Sequence, residues 1–269
     1  MILQAIRSVL FYAVWLANTA LLAILVGTLG IVTRRPTKLG WALSMYWVNS
    51  SKFLLRWLVG IRSKVEGAEN IPPGPSIFAS KHMSDWDIFA LVPYAERPAY
   101  IAKKELMDIP FFGWAAATYD TIRIDRSLGM EAIPAMLREA KAALERGCRI
   151  VIYPEGTRRV PLAPPDYRQG IVAMYMGLNV PVVPVALDSG LYWQRNSLIL
   201  WPGMARAKFL PPIMPGLSAA EFKATLIERI EGETNRMILD AVERGLSRPI
   251  SREMRDKLQA LGAAQPTIY

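Results

Sequence analysis

The sequence predicts an α/β domain with a largely parallel mixed sheet flanked by helices, preceded by an N-terminal hydrophobic helical region that anchors to a membrane. After residue 64, short apolar runs alternate with longer amphipathic segments, which is typical of strands and helices around a parallel sheet. Before it, the chain is mostly apolar. We therefore expect a membrane-associated helical region (1–63), an α/β domain (64–249) and a basic C-terminal tail (250–269).

The N-terminal region contains two apolar segments. Residues 8–33 carry no charge and are long enough to cross a bilayer as a helix. A secretory signal is the alternative, but its apolar part is shorter and ends at a small-residue cleavage site, which we do not find before Arg34. Residues 40–61 are interrupted by Lys52 and Arg56 on one helical face. This second segment predicts an interfacial amphipathic helix or, as the alternative, a helix packed on the domain.

Basic residues around the first segment predict its orientation. Arg34, Arg35 and Lys38 follow it and outnumber Arg7, which precedes it. Because positively charged flanks stay on the cytoplasmic side of a spanning helix, we expect the C-terminal side, with the α/β domain, to be cytoplasmic.

Strand candidates follow one another along the α/β domain. They are Ser76–Ser80, Ala99–Ala102, Thr121–Ile124, Arg149–Tyr153, Val180–Ala186 and Ala205–Leu210. Helical periodicity is clearest in two segments, Met130–Arg146 and Ser218–Arg244, and we expect the second of them to cover the sheet. The tail from Ile250 is expected to be solvated or close to the membrane.

The composition limits the class of function. A net charge of +9 and 52% hydrophobic residues favour anionic partners and lipid contact. The basic residues are dispersed and no recognition motif is present, which argues against nucleic-acid binding. With one cysteine and one histidine, the chain has no intrachain disulfide and no Cys/His zinc cluster, so no metal site is expected. Cys148 is predicted to be a small buried residue.

The single histidine, His82, precedes a carboxylate at Asp87. At this spacing on one helix the side chains would be rotated by roughly 500° and would diverge. A buried strand before His82 and an apolar helix start after Asp87 place the pair in a strand-to-helix loop, where Ser84 and Asp87 match a capping pattern. Asp87 can then bind one ring nitrogen while the other takes a proton from a hydroxyl. The alternative is a capping aspartate and an ordinary polar histidine.

A second polar group follows the strand candidate that ends at Tyr153. Pro154 ends the strand and Gly156 permits a tight turn, so a carboxylate, a hydroxyl and a guanidinium are presented where the strand ends. These groups belong to Glu155, Thr157 and Arg158. Guanidinium donors and backbone amides suit a phosphate, whereas a salt-bridged surface turn is the alternative.

Several motifs occur in a fixed order between residues 82 and 185. They are His82-x4-Asp87, Lys103-x-Glu105-Leu106 with Pro110-Phe111-Phe112-Gly113, Ile124-Asp125-Arg126, Tyr153-Pro-Glu-Gly-Thr-Arg158 and Val180-Pro-Val-Val-Pro184-Val185. With this order the sequence resembles the glycerolipid acyltransferase family, and within it the bacterial members that acylate 1-acylglycerol 3-phosphate. Two positions depart from the family pattern: Lys81 stands where asparagine is most frequent, and Tyr153 where phenylalanine is usual.

The resemblance implies roles for individual residues. His82 would be the general base and Asp87 its orienting partner. Other positions would bind the substrate, mainly its glycerol phosphate: Lys103, Arg126, Glu155, Gly156, Thr157 and Arg158.

The implied reaction transfers an acyl chain from a thioester to the free hydroxyl of lysophosphatidic acid and forms phosphatidic acid in phospholipid synthesis. The thioester of coenzyme A or of acyl carrier protein would be a co-substrate, with no cofactor and no covalent acyl-enzyme. The implied location is the bacterial inner membrane, with the catalytic domain on the cytoplasmic side. Two alternatives stay open: another lysolipid acceptor, such as a lyso-ornithine lipid or a lysophospholipid, or a basic membrane-binding protein without catalysis.

Overall fold

The computed structural model describes residues 1–33 and 37–262, in which one mixed sheet forms the centre of the fold. The strands are β1 (Ile61–Glu66), β2 (Ile77–Ser80), β3 (Pro98–Lys103), β4 (Ile122–Ile124), β5 (Arg149–Ile152), β6 (Val182–Leu187) and β7 (Gly203–Phe209). Their order is β1-β7-β6-β2-β5-β3-β4. Neighbouring strands are parallel except for β6 and β7. The predicted fold class, a largely parallel mixed sheet, is confirmed.

Helices cover both faces of this sheet. They are α1 (Ile2–Thr33), α2 (Lys38–Leu54), α3 (Trp86–Leu91), α4 (Lys104–Met107), α5 (Phe112–Ala117), α6 (Ile133–Glu145), α7 (Gln169–Leu178), α8 (Ala219–Glu243) and α9 (Arg252–Ala260). In β2, Phe78 belongs to a core cluster with α1 to α3, while Ile77 and Ala79 belong to a cluster with α6 and α7. Because successive strand residues point to opposite faces, these clusters lie on opposite sides of the sheet.

The sheet begins earlier than the sequence predicts. β1 starts at Ile61 and pairs with β7 in parallel, so the expected domain limit at residue 64 falls inside this strand. Only Ile61 of β1 is buried, and Arg62, Ser63 and Lys64 are exposed. An edge strand with this polar composition lacks the apolar run that identified the other strands.

The C-terminal tail also differs in part from the expected solvated segment. Residues 252–260 form α9, in which Met254 and Leu258 are buried in the core cluster on the α1 to α3 side. Of its basic residues, Arg252 is exposed and Lys257 is partly exposed, whereas the Arg255 Nε is buried. Residues 263–269 lie outside the described residues.

α1 and α2 form an antiparallel hairpin. The Trp15 indole nitrogen donates to the Ser51 hydroxyl (3.0 Å), and the Trp47 indole nitrogen donates to the Thr19 hydroxyl (2.9 Å). In the described part of the chain, α1 is the helix that is long and apolar enough to cross a membrane. α2 continues into a π-helical turn, Leu55–Val59, that joins the core, so this segment packs on the domain. Arg34 and Arg35, on which the predicted orientation depends, lie outside the described residues.

The hairpin is attached to the α/β domain along nearly all of α1. Near its start, the Gln4 side-chain nitrogen donates to the Leu200 carbonyl (2.7 Å), and the Leu200 N–H donates to the Ser8 hydroxyl (3.0 Å). Near its end, Gly27 and Gly30 allow α5 to approach so closely that a Cβ at either position would meet α5 or Thr118 within 3.0 Å. α1 therefore runs along the domain and does not lead away from it.

Candidate active site

Two loops meet at the carboxyl edge of the sheet. β2 and β5 are parallel neighbours, with Ala79 opposite Ile152, so the loops after them emerge side by side. The loop after β2 carries His82, and the loop after β5 carries the turn Tyr153–Arg159. A backbone bond from the Arg159 N–H to the His82 carbonyl (2.8 Å) joins the two loops. Both predicted motifs therefore lie at the edge where open α/β sheets bind ligands.

His82 and Asp87 form the expected pair. The His82 Nδ1 lies 2.8 Å from the Asp87 Oδ2, and the histidine side chain is 16% exposed while the aspartate is fully buried. Asp87 lies in the first turn of α3 and accepts four more hydrogen bonds. They come from the backbone N–H groups of Met83 and Ser84 and from the hydroxyls of Ser84 and Ser189. These donors fix the Asp87 carboxyl group against Nδ1 and leave Nε2 for a substrate.

Tyr153 stacks on the His82 ring. The ring centroids are 3.9 Å apart and the planes differ by 17°. The Tyr153 hydroxyl is buried and has no hydrogen-bond partner among the described residues. Burial raises the pKa of this phenol well above its usual range, so it stays protonated at neutral pH. The Tyr153 ring therefore packs against the imidazole and limits its orientation, whereas the hydroxyl makes no hydrogen bond with the described residues.

This stacking gives a prediction with an internal control. Tyr153→Phe should keep kcat within about twofold and raise the melting temperature, because an unpaired buried hydroxyl costs about 1–3 kcal/mol. Tyr153→Leu should lower kcat on the order of 10²-fold, because the imidazole loses the ring that holds its orientation. Steady-state kinetics and thermal melts of both variants check this. Equal kcat values for the two variants would show that stacking does not position His82.

The turn after β5 directs its carboxylate inward. Gly156 has a positive φ of 68°, and its N–H donates to the Tyr153 carbonyl (2.8 Å), which closes the turn. Glu155 is buried, and its Oε2 lies 3.0 Å from the Nζ of Lys81, which also bonds Glu231 Oε1 on α8 (2.7 Å). Burial raises the pKa of Glu155, and the Lys81 charge opposes that rise. Glu155 therefore holds the turn in place through Lys81, although it also forms part of a cavity wall.

Arg158 points toward the loop that carries His82. Its Nη1 lies 2.7 Å from the Asp85 Oδ2, and both side chains are about one-third exposed. Loss of solvent raises the pKa of the Asp85 carboxyl, and the Arg158 charge opposes this rise. Arg195 donates from Nη1 to the Arg158 carbonyl (3.2 Å) and adds a second guanidinium to this region. An incoming phosphate would therefore meet a guanidinium that is already paired with a carboxylate.

These groups line a cavity of about 1010 Å³. Its wall on α1 is a stripe at helical spacing: Thr19, Leu22, Ala23 and Val26. Residues of α2 and α5 and, on the other face of the sheet, of α6 and α7 complete it. The volume is at the upper end of the range for small-ligand pockets, and the lining next to the polar groups suits a long apolar chain.

The structure brings together most of the predicted substrate-binding residues. His82, Lys103, Glu155, Gly156, Thr157 and Arg158 all line the cavity. Lys103 stands at the end of β3, next to β5 in the sheet, and is exposed. The side chain of Arg126 lies outside what the structure describes, so its predicted role stays a prediction.

Other residues of the site were not assigned from the sequence. Ser189 lies two residues after β6, whose carboxyl end is at the same edge as that of β2, so a hydroxyl shortly after the predicted strand was an available signal. Lys81 was visible as a cation between a buried strand and His82. Asp85 had no comparable signal, because its partner Arg158 is far away in the chain.

Comparisons with known proteins agree with this geometry. A family model described as Acyltransferase matches residues 62–188. The chain is 35% identical over 204 residues to the 1-acyl-sn-glycerol-3-phosphate acyltransferase of Pseudomonas aeruginosa, a match that covers 74% of this chain and 77% of that protein. It is 30% identical over 162 residues to the Mus musculus 1-acyl-sn-glycerol-3-phosphate acyltransferase alpha, covering 59% of this chain and 57% of that protein.

A solved structure shares the fold. The crystal structure of the 1-acyl-sn-glycerophosphate (LPA) acyltransferase PlsC from Thermotoga maritima matches with a TM-score of 0.69 at 23% identity, covering 87% of this chain and 97% of that chain. The bacterial relative matches over most of its length, and the family model covers the segment from β1 to the end of β6, which carries the His82 and Arg158 loops. This protein belongs to the glycerolipid acyltransferase family.

Proposed function

We propose that the protein transfers an acyl chain from a thioester to the free hydroxyl of lysophosphatidic acid and so forms phosphatidic acid for phospholipid synthesis. The observation that carries this proposal is His82, held by the buried Asp87, in the wall of a largely apolar cavity beside a turn that carries Arg158. Membership of the family supports the reaction type. The names of the relatives support the acceptor.

The mechanism needs one base. His82 Nε2 takes the proton of the acceptor hydroxyl at a distance of about 3 Å, while Asp87 holds the Nδ1–H and stabilises the imidazolium. The hydroxyl oxygen forms a bond to the thioester carbonyl carbon, and the carbon–sulfur bond breaks. The thiolate leaves with the proton returned by His82. No acyl group is attached to the protein at any stage.

The polar turn binds the phosphate of the acceptor, and the cavity binds its acyl chain. We assign the phosphate to Arg158, Thr157 and the Gly156 backbone, with Lys103 and Arg126 near it, on the pattern of the family. Glu155 acts by holding this turn through Lys81. The apolar stripe of α1 takes acyl chain. The donor is a thioester of coenzyme A or acyl carrier protein.

The membrane setting follows from the hairpin. The outer face of α1 is apolar and exposed along its length, which suits contact with lipid. We place the protein at the bacterial inner membrane with its site on the cytoplasmic side, where thioester donors are made. A site attached to the bilayer removes the slow transfer of acceptor and product through water.

A panel of lysolipids tests the acceptor. Purified protein should acylate radiolabelled lysophosphatidic acid faster than a lyso-ornithine lipid or a lysophospholipid with a larger headgroup, because Arg158 suits a terminal phosphate. Products are separated by thin-layer chromatography. Faster turnover of a lyso-ornithine lipid would replace the proposed acceptor, and no transfer to any lysolipid would favour a membrane-binding protein without catalysis.

Arg158→Lys separates phosphate recognition from chemistry. The KM for lysophosphatidic acid should rise on the order of tenfold, because a lysine keeps the charge but cannot bond the phosphate and Asp85 with a planar fork. The KM for the thioester should barely change. Kinetics with varied acceptor at fixed donor measure this.

The matched control is Arg168→Lys. Arg168 also lines the cavity but is largely exposed and paired with Asp166 (2.8 Å), so its replacement should leave the acceptor KM unchanged. An unchanged acceptor KM in Arg158→Lys, together with a collapsed kcat, would assign Arg158 to structure or to the transition state.

A further inference from the structure

The catalytic domain exposes an apolar segment of its own, separate from the N-terminal hairpin. It runs from α4 to α5, and its exposed side chains are Leu106, Ile109, Phe111, Phe112 and Trp114. Ile109 and Trp114 are each 46% exposed. Large apolar side chains grouped in this way on a surface mark a site of interaction.

The backbone holds this segment in a fixed shape. Phe111 has a positive φ of 62°, which is rare for an aromatic residue and indicates local strain. Gly113 approaches α4 so closely that a Cβ there would lie 1.9 Å from the Met107 carbonyl oxygen, so only glycine fits. The rings of Phe111 and Trp114 meet edge to face with centroids 4.9 Å apart. The aromatic side chains are thus presented by a structured turn.

The segment continues the apolar face of α1. α5 packs on α1 at Gly27 and Gly30, and next to this contact Ile24 and Ile31 of α1, three residues before and four residues after Gly27, are exposed. α1 is attached to the domain at both ends. A membrane that contacts the exposed face of α1 therefore also contacts the turn between α4 and α5. Leu106 and Phe112 are partly exposed and line the cavity, whereas Ile109 and Trp114 are exposed and do not line it, so the segment joins the surface to the site.

Basic residues border the apolar surface. Lys103 and Lys104 precede it in the chain, and Arg123 lies on the adjacent strand β4, where Ala102 of β3 pairs with it. Lys104 bonds Asp125 (3.2 Å), and Lys103 and Arg123 are exposed. Exposed carboxylates, Glu105 and Asp108, lie in the same stretch, so the attraction to anionic headgroups comes from the net charge of +9 of the whole chain and not from a local excess of cations.

We propose that residues 106–114 insert into the headgroup boundary of an anionic bilayer beside α1, and so form a second membrane contact made by the catalytic domain itself. Aromatic side chains suit this depth because their rings are apolar and tolerate the polar boundary. This docking does not depend on which lysolipid is acylated.

Site-specific fluorescence tests the insertion in the full-length protein. Ile109→Cys can be labelled selectively with an environment-sensitive dye, because the native Cys148 is buried and burial raises its thiol pKa to about 11. The control is Met214→Cys. Met214 is 58% exposed and follows Ile213, which pairs with Val182 at the start of β6, so it lies at the opposite edge of the sheet.

The vesicles contain phosphatidylcholine and phosphatidylglycerol with brominated acyl chains. The dye at position 109 should be quenched several-fold more than the dye at position 214, and less on vesicles of phosphatidylcholine alone. Equal quenching at the two positions, with the protein bound, would overturn the proposal. A shift of the dye at position 109 that appears without vesicles as protein concentration rises would also overturn it, because a second copy of the chain would then cover the surface.

Activity gives an independent readout. Ile109→Asp should lower transfer to an acceptor embedded in vesicles about tenfold, because a charge opposes insertion. Transfer to a short-chain acceptor dissolved as a monomer should be unchanged, since Ile109 is outside the cavity wall. Met214→Asp should affect neither. Equal losses on both acceptors would place Ile109 in the fold of the site and overturn the proposal.

Discussion

Replacing His82 with alanine should lower kcat by about 10²- to 10⁴-fold, the contribution expected of a positioned general base. His82 is the single histidine of the chain, and its Nδ1 is held by a fully buried aspartate. The Tyr153 phenol, which lies beside it, stays protonated at neutral pH because burial raises its pKa. Asp85, a carboxylate of the same loop that also lines the cavity, is paired with Arg158 (2.7 Å).

The measurement is kcat with lysophosphatidic acid and a thioester, accompanied by a thermal melt and vesicle binding. The melting temperature and the membrane binding of His82→Ala should stay close to those of the parent, because the imidazole is partly exposed and its removal opens no sealed cavity. Activity within about tenfold of the parent would refute the assignment of the base.

Asp87→Asn is the second arm of that experiment. An amide keeps the shape but places an N–H₂ group among the donors from His82, Met83, Ser84 and Ser189, so the tautomer of the histidine is no longer fixed. We expect kcat to fall by orders of magnitude. A loss of stability with little change in kcat would mean that Asp87 merely caps α3.

Much of the fold was predictable because its central strands are short and mostly apolar, with a polar residue only at an end, Ser80 of β2 and Arg149 of β5. β2, β5 and β6 are buried at every residue, so their runs of Ile, Val and Ala stand out against the polar loops. The carboxyl ends of such strands meet at one edge, which is why two motifs far apart in the chain could be expected to share a site. β1 was not predicted, because its exposed residues are polar and its partner β7 lies far away in sequence.

Sequence motifs identified the main residues of the site, but most contacts among those residues could not be predicted. The His82–Asp87 pair follows from spacing and capping, both of which are local. The partner of Lys81 is not local, because Glu231 lies 150 residues away on α8 and nothing in the sequence distinguishes it from Glu228 or Glu233. The pair of Asp85 and Arg158 is likewise not local, and Ser189, although its position after β6 was a signal, lies 102 residues from its partner Asp87. Charges and hydroxyls acquire partners only when the sheet brings distant loops together.

Lys81→Met should lower the free energy of unfolding by about 3–5 kcal/mol, which is the cost of removing one partner from a buried ion pair. Lys81 is 2% exposed, and its Nζ contacts carboxylates of two different elements, Glu155 and Glu231. Without it, Glu231 keeps the Tyr167 hydroxyl as a donor (2.9 Å), and Glu155 keeps the Arg159 Nε at 3.7 Å. Neither contact supplies a buried cation at hydrogen-bond distance.

The loss should depend on pH. Burial already raises the pKa of Glu155, and removal of the cation that opposes this rise increases it further. A carboxyl with a raised folded pKa contributes stability below its unfolded pKa of about 4.3 and loses it as pH rises through the folded value. Lys81→Met should therefore be closest to the parent near about pH 5 and fall further below it near about pH 8.

Denaturant unfolding at both pH values measures the effect, with Lys208→Met as the matched control. Lys208 bonds Glu233 on the same helix, α8 (2.9 Å), but it is about one-third exposed, so its loss should cost less than about 1 kcal/mol at either pH. The double variant Lys81→Met/Glu231→Gln should recover part of the loss, because the amide oxygen still accepts from Tyr167 and one uncompensated charge is gone.

The buried ion pairs of Lys81 with Glu155 and Glu231 should affect substrate binding as well as stability. Lys81 is adjacent to His82 and holds the turn that carries Arg158, so in its absence this turn should move relative to His82. We expect the KM for lysophosphatidic acid to rise in Lys81→Met, to recover in part in the double variant, and to stay unchanged in Lys208→Met. A Lys81→Met protein as stable as the parent at both pH values, with an unchanged acceptor KM, would show that the buried cation neither stabilises the fold nor positions the two loops.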